Sequence, residues 1–100
     1  NMQPFNVSEV VRRAVRHFEN VASERGLALE AQLDNGEVFV VSDELKVERI
    51  LWALLDNAIK FTPHGRVTIS ATPGSRSGTV ELHVADTGIG MADEELLRAL

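Results

Sequence analysis

The sequence predicts a two-layer α/β sandwich, with helices on one face of a mixed, mostly antiparallel sheet. Three observations carry this. The apolar pattern runs in the order helix, two strands, helix, two strands, start of a helix. Two segments repeat apolar residues every three or four positions, whereas the later strands alternate strictly. The helices are too few to cross over between all the strands, which points to a sheet that is not purely parallel.

The first helix runs from Val7 to Val21. Val7, Val10, Val11, Ala14, Val15, Phe18, Val21 and Ala22 form its apolar face, and Arg12, Arg13, Arg16, Glu19 and Glu24 fall elsewhere. Asn6 with Glu9 three residues on has the form of a capping box, and Gly26 suits the helix end. Leu27 to Leu33 and Val38 to Val41 read as strands. The turn residues Asp34-Asn35-Gly36 between them predict a hairpin.

Ser42 or Asp43 opens the second helix, with Asp43 and Glu44 at its positive end. Pro63 and Gly65 end it after about Phe61. Its apolar residues, from Leu45 to Phe61, fill an arc of about 220° at 100° per residue, interrupted by Glu48. The remaining arc of about 100° holds Lys46, Arg49, Ala53, Asp56, Asn57 and Lys60. A carboxamide beside ammonium groups suits a hard cation next to phosphate oxygens. A solvated helix face has the same pattern.

Arg66 to Thr72 alternates, with Val67, Ile69 and Ala71 on one side. Thr79 to Asp86 alternates too, with Val80, Leu82 and Val84 inward. Gly74, Ser75, Ser77 and Gly78 lie between them, so the two are expected to pair antiparallel. Asp86-Thr87-Gly88-Ile89-Gly90-Met91 is a glycine-rich turn, and a last helix is expected from Ala92 or Asp93. Glycines at a strand end let backbone approach a flat ligand, and a carboxylate there can accept from an exocyclic amino group. A plain tight turn is the alternative. The spacing matches neither the dinucleotide-binding glycine motif nor the phosphate loop.

Composition narrows the function classes. At 44% hydrophobic and 25% charged residues, the 100-residue chain has the makeup of one soluble globular domain. Ten basic against fifteen acidic residues give a formal net charge of −5, which argues against a nucleic-acid surface. The absence of cysteine excludes disulfides and thiolate metal sites and fits a reducing compartment. His17, His64 and His83 show no metal-ligand spacing, and His17 lies on the polar side of the first helix. Trp52 reads as core packing rather than a base-stacking platform.

Two motifs carry a resemblance. DELKVERILWALLDNAIKFTPHG, from Asp43 to Gly65, is similar to the N box of histidine protein kinases. DTGIGM, from Asp86 to Met91, resembles their first glycine box. The motifs occur in the family's order, and PFNVSEVVRRAV resembles the usual opening of the domain. The resemblance covers nearly the whole chain. It implies the Bergerat-type α/β sandwich shared with gyrase, mismatch-repair ATPases and heat-shock chaperones.

By that resemblance, Asn57 would hold the Mg2+ ion that bridges the ATP phosphates, and Lys60 would contact the phosphates. Asp86 would read adenine, Gly88 and Gly90 would flank the base, and Ile59 and Ile89 would supply apolar contact. The implied function is the ATP-binding catalytic domain of a two-component sensor histidine kinase. It would present the γ-phosphate to a histidine on a separate dimerisation domain, with a response-regulator receiver downstream. The implied location is cytoplasmic, with a parent anchored in the inner membrane as one form.

The pattern departs from the family in two places. The position one turn before Asn57, commonly Asn in these kinases and an acid in the hydrolysing relatives, is Ala53. Ala53 argues against a self-sufficient ATPase and keeps open a non-catalytic nucleotide-sensing or protein-docking module. The phenylalanine box, lid and second glycine box have no counterpart in residues 1–100. The chain is therefore expected to be the N-terminal part of the domain, truncated after the first glycine box and inactive alone. A sheet short of strands leaves an edge and apolar surface, from which either poor stability or a homodimer is expected.

Overall fold

The computed structural model describes residues 2–33, 36–62, 64–73, 80–86 and 94–99, the backbone alone for residues 86 and 94–99. In chain order the elements are β1 (Gln3–Asn6), α1 (Val7–Glu24), β2 (Leu27–Gln32), β3 (Phe39–Ser42), α2 (Glu44–Phe61), β4 (Gly65–Pro73), β5 (Val80–Asp86) and β6 (Glu94–Ala99). A four-stranded sheet has the order β2-β4-β5-β6, and β1 and β3 form a two-stranded sheet. β2 and β4 are parallel, and the other pairs are antiparallel.

Local chemistry sets the helix ends. The Asn6 side chain accepts from the Ser8 amide at 3.0 Å and so satisfies one of the free N–H groups that open α1. Glu9 does not close the expected capping box. It pairs with Arg12 at 2.5 Å instead. At the other end Gly26 takes φ +74°, a left-handed conformation that costs glycine nothing, and its amide donates to the Ser23 carbonyl at 2.9 Å. Asp43 caps α2 by accepting from the Lys46 amide at 3.2 Å.

The core is the seam where both helices meet the sheet. Val7, Val10, Val11, Ala14, Phe18 and Ala22 of α1 are buried, as are Val47, Leu51, Leu55 and Ile59 of α2. They cover Val67, Ile69 and Ala71 of β4 and Val80, Leu82 and Val84 of β5, the inward faces expected from alternation. Ile69 lies opposite Val84 and Ala71 opposite Leu82, so these cross-strand pairs are buried together.

Two expectations need correction. Leu27 to Leu33 and Val38 to Val41 do not form a hairpin. β2 runs parallel to β4, and β3 pairs with β1. The reason is the start of α1, which captures the chain before it can turn back on β2. Ser8 Oγ donates to the Gly36 carbonyl at 2.8 Å and accepts from the Val38 amide at 3.1 Å, and the Val7 amide donates to the Val38 carbonyl at 2.8 Å. The last expected helix is instead β6, which pairs with β5 from Val80↔Ala99 to Ala85↔Glu94. Filling the open ladder of β5 overrides the helix preference of a Glu-, Leu- and Ala-rich segment.

Candidate functional site

The last turn of α2 and the end of β5 bring Asn57, Lys60 and the backbone of Asp86 to one end of the described fold. α2 packs over β5 and joins β4 through residues 62–64. Asp86, the last residue of β5, lies opposite Val67, the third residue of β4. The last turn of α2 and the end of β5 therefore both lie where β4 begins. Gly88, Ile89 and Gly90 lie outside the described residues.

Ala53, Asn57 and Lys60 form an exposed stripe on α2, spaced one turn apart. Among the described residues no hydrogen bond engages the Asn57 carboxamide. Lys60 Nζ lies 3.1 Å from Asp56 Oδ2 across one turn, and both side chains are more than half exposed. Such a pair stabilises a helix by only about 0.3–0.5 kcal/mol, so the ammonium is readily available to another anion. A free amide oxygen beside a weakly held ammonium is a donor set for a magnesium phosphate. Among the described residues no three His, Asp or Glu side chains could hold a metal ion.

The site is fixed from beneath and from behind. Ile59, expected to contact the nucleotide, is 2% exposed and belongs to the core. It faces away from the stripe, because two residues along a helix turn the side chain by about 200°. Thr62 is buried, and its amide donates to the Ala58 carbonyl at 3.1 Å. Arg25, just past α1, donates from Nη2 to the Lys60 carbonyl at 3.1 Å. This brings a cation to the negative end of α2. Nothing local in the sequence marks that contact, which spans 35 positions.

Phe61 and Leu45 were assigned to the apolar arc of α2, yet they are 79% and 54% exposed. They stand at the two ends of the helix, beyond the layer it packs on. Trp52 packs in the α1–α2 seam, where the His17 ring stacks on it at 4.0 Å and 16° and Phe18 meets it edge-on at 5.8 Å. His17 is a surface residue, as its position on the helix implied.

A separate cleft of about 390 Å³ lies at the opposite end of α2, lined by Gln3, Arg13, Asp43, Glu44, Leu45 and Glu48. The Lys46 amide holds the Asp43 carboxyl below its usual range. Arg13 pairs with Glu44 at 2.6 Å and Glu48 at 3.7 Å. Among the described residues, Asn57, Ile59 and Lys60 are not part of its lining.

Residues 42–99 match the family described as histidine kinase-, DNA gyrase B-, and HSP90-like ATPase. The histidine protein kinase DivJ of Caulobacter vibrioides is 37% identical over 95 residues, which cover 94% of this chain and 16% of DivJ. The histidine kinase AdeS of Acinetobacter baumannii has a similar structure, with a TM-score of 0.74 at 30% identity, over 93% of this chain and 45% of that one. Full-length ShkA, solved in complex with AMPPNP, gives a TM-score of 0.80 at 27% identity over 88% of this chain and 19% of ShkA. The chain thus spans less than half the length of each.

Proposed function

This chain belongs to the histidine kinase-, DNA gyrase B- and HSP90-like ATPase family, and from that premise we propose that it is the ATP-binding catalytic part of a sensor histidine kinase. In this reading it holds Mg-ATP and presents the γ-phosphoryl group to a histidine on a separate dimerisation domain. A response-regulator receiver then takes the phosphoryl group. The observation that carries the reading is the placement of the unengaged Asn57 carboxamide and the loosely paired Lys60 at the same end of the domain as Asp86.

Each residue has a distinct task. The metal ion, when bound, would neutralise charge building on the phosphates. Asn57 would offer its amide oxygen to that ion. Lys60 would exchange the Asp56 carboxylate for a phosphate oxygen, at little cost because the pair is solvent-screened. Asp86 would accept from the adenine amino group. Ala53 offers no base to activate water, so the residues favour holding the phosphoryl group over hydrolysing it. Among the described residues no helix is long and apolar enough to cross a membrane.

Ala53 also supports a second reading, a nucleotide-sensing or docking module that has lost magnesium chemistry. Calorimetric titration of Mg-ATP into the chain, with and without chelator, separates the two. The kinase reading expects magnesium-dependent binding that weakens about ten- to a hundredfold in Asp86→Asn, the loss of a hydrogen bond to a charged group. Binding indifferent to magnesium, or none by a folded chain, would favour the second reading.

A further inference from the structure

We propose that Asp56 makes the candidate site favour the magnesium complex of its nucleotide over the bare polyanion. This role rests on the nucleotide reading above and gives Asp56 a task beyond releasing Lys60. A surface that receives phosphate is expected to gather cations. Here a carboxylate stands within it. At 100° per residue the stripe runs round α2 in the order Asp56, Lys60, Ala53, Asn57. Lys60 thus lies about 40° from Asp56 and about 60° from Asn57. Its ammonium has gone to the acid, 3.1 Å from Oδ2. Among the described residues this is the one ion pair that Asp56 makes. Trp52, Ala53 and Ile59, its other neighbours one turn away, carry no charge. Arg25 adds a cation at the end of the helix. Its Nη2 donates to the Lys60 carbonyl, and among the described residues no ion pair joins it to Asp56.

As a helix brace the Asp56–Lys60 pair does little, since both side chains are more than half exposed. Its larger effect falls on a ligand. The ammonium must leave the carboxylate to meet a phosphate, an exchange that itself costs little. The carboxylate then remains one turn away without its cation, in the field of the bound anion. Its repulsion grows with the charge of that anion. Magnesium cancels roughly half the charge of a nucleoside triphosphate. The complex is therefore repelled about half as strongly as the free nucleotide. Asn57, on the other side of Lys60, has no such charge, so the discrimination belongs to Asp56.

Calorimetry at low ionic strength tests this with two ligands, ATP in the presence of chelator and Mg-ATP. The parent chain is compared with Asp56→Asn and Asp56→Glu. Asn keeps the shape of Asp, and Glu keeps its charge on the same stripe. Circular dichroism checks that both variants are folded. Asp56→Asn is expected to tighten metal-free ATP about tenfold and Mg-ATP only about threefold, because halving the ligand charge halves the logarithm of the gain. The preference for Mg-ATP over ATP then falls about threefold. Asp56→Glu should keep the preference of the parent chain. A helix brace alone would move stability but not this ratio. If Asp56→Asn keeps or raises the parent's ratio, whether by equal gains, equal losses or no change, the role of Asp56 is overturned and the nucleotide reading stands. The same follows if Asp56→Glu loses the preference, or if the parent chain binds the two ligands alike. Binding of neither ligand by the folded parent chain would overturn the nucleotide reading itself and the role of Asp56 with it.

Discussion

Arg25 Nη2 donates to the main-chain carbonyl of Lys60 at 3.1 Å and so ties the end of α1 to the last turn of α2. The carbonyls that end a helix have no partner within it, and a cation there also meets the negative end of the helix dipole. The residue held in this way is one of the two α2 side chains assigned to phosphate and metal.

Arg25→Ala should therefore loosen the end of α2 without unfolding the domain. The expected loss is about 0.5 kcal/mol, the scale of an exposed cation at a helix C-terminus. Amide hydrogen exchange at residues 58–62 should quicken, while exchange at Leu51 and Leu55 in the core should not. Unchanged exchange at residues 58–62 would show that the contact does not hold the turn.

Ser8→Ala should cost considerably more. Ser8 is fully buried, and its hydroxyl serves both the Gly36 carbonyl and the Val38 amide. Removing it leaves a buried amide without its partner, a loss of about 1–3 kcal/mol. Urea unfolding should show a lower midpoint with an unchanged slope. A midpoint matching the parent chain would mean that β3 is held to α1 by packing alone.

That serine also explains what could be read from the sequence. α1 was legible because its apolar positions recur at three and four from Val7 to Ala22, and β4 and β5 because Val67, Ile69 and Ala71 alternate, as do Val80, Leu82 and Val84. The false hairpin came from a local turn signal at Asp34-Asn35-Gly36. The bonds that redirect the chain join residues about 30 positions apart and leave no local trace. β6 escaped for a related reason, since its residues prefer helix and its pairing with β5 is tertiary. The candidate site was legible in part. The polar arc of α2 put Asn57 and Lys60 on one stripe, and the structure exposes both. Ile59 was misplaced because an apolar residue beside a site and an apolar residue beneath it look alike in a sequence.

Acidification should destabilise the domain through a few surface carboxylates. Hydrogen bonds from Arg12 and Asn6 hold the Glu37 carboxyl below its usual range, and the Lys46 amide does the same for Asp43. A carboxylate with a depressed folded pKa binds its proton more tightly in the unfolded chain. Its contribution is complete above the unfolded value, roughly pH 4, and is lost as pH falls through the lower folded value. Thermal unfolding midpoints should hold steady from neutral pH to about 5 and then drop. Glu37→Gln should make the acid limb shallower. An unchanged acid limb would place the titration elsewhere.

Ala53→Asn offers a gain-of-function test of the proposed site. Ala53 is exposed and stands one turn before Asn57 on the same stripe, so its replacement disturbs no core contact. The helix itself should lose roughly 0.5 kcal/mol, because Asn is a poorer helix former than Ala. A second carboxamide one turn from the first would offer the bridging cation another oxygen. If Asn57 faces magnesium, Mg-ATP should bind more tightly, by up to about tenfold, since a bond to a charged group is worth 1.4 kcal/mol or more. ATP without magnesium should bind as before. Equal gains in both titrations would point to a contact with the nucleotide itself. No gain in either would remove the stripe from the metal site, leaving Asn57 and Lys60 as an ordinary solvated helix face.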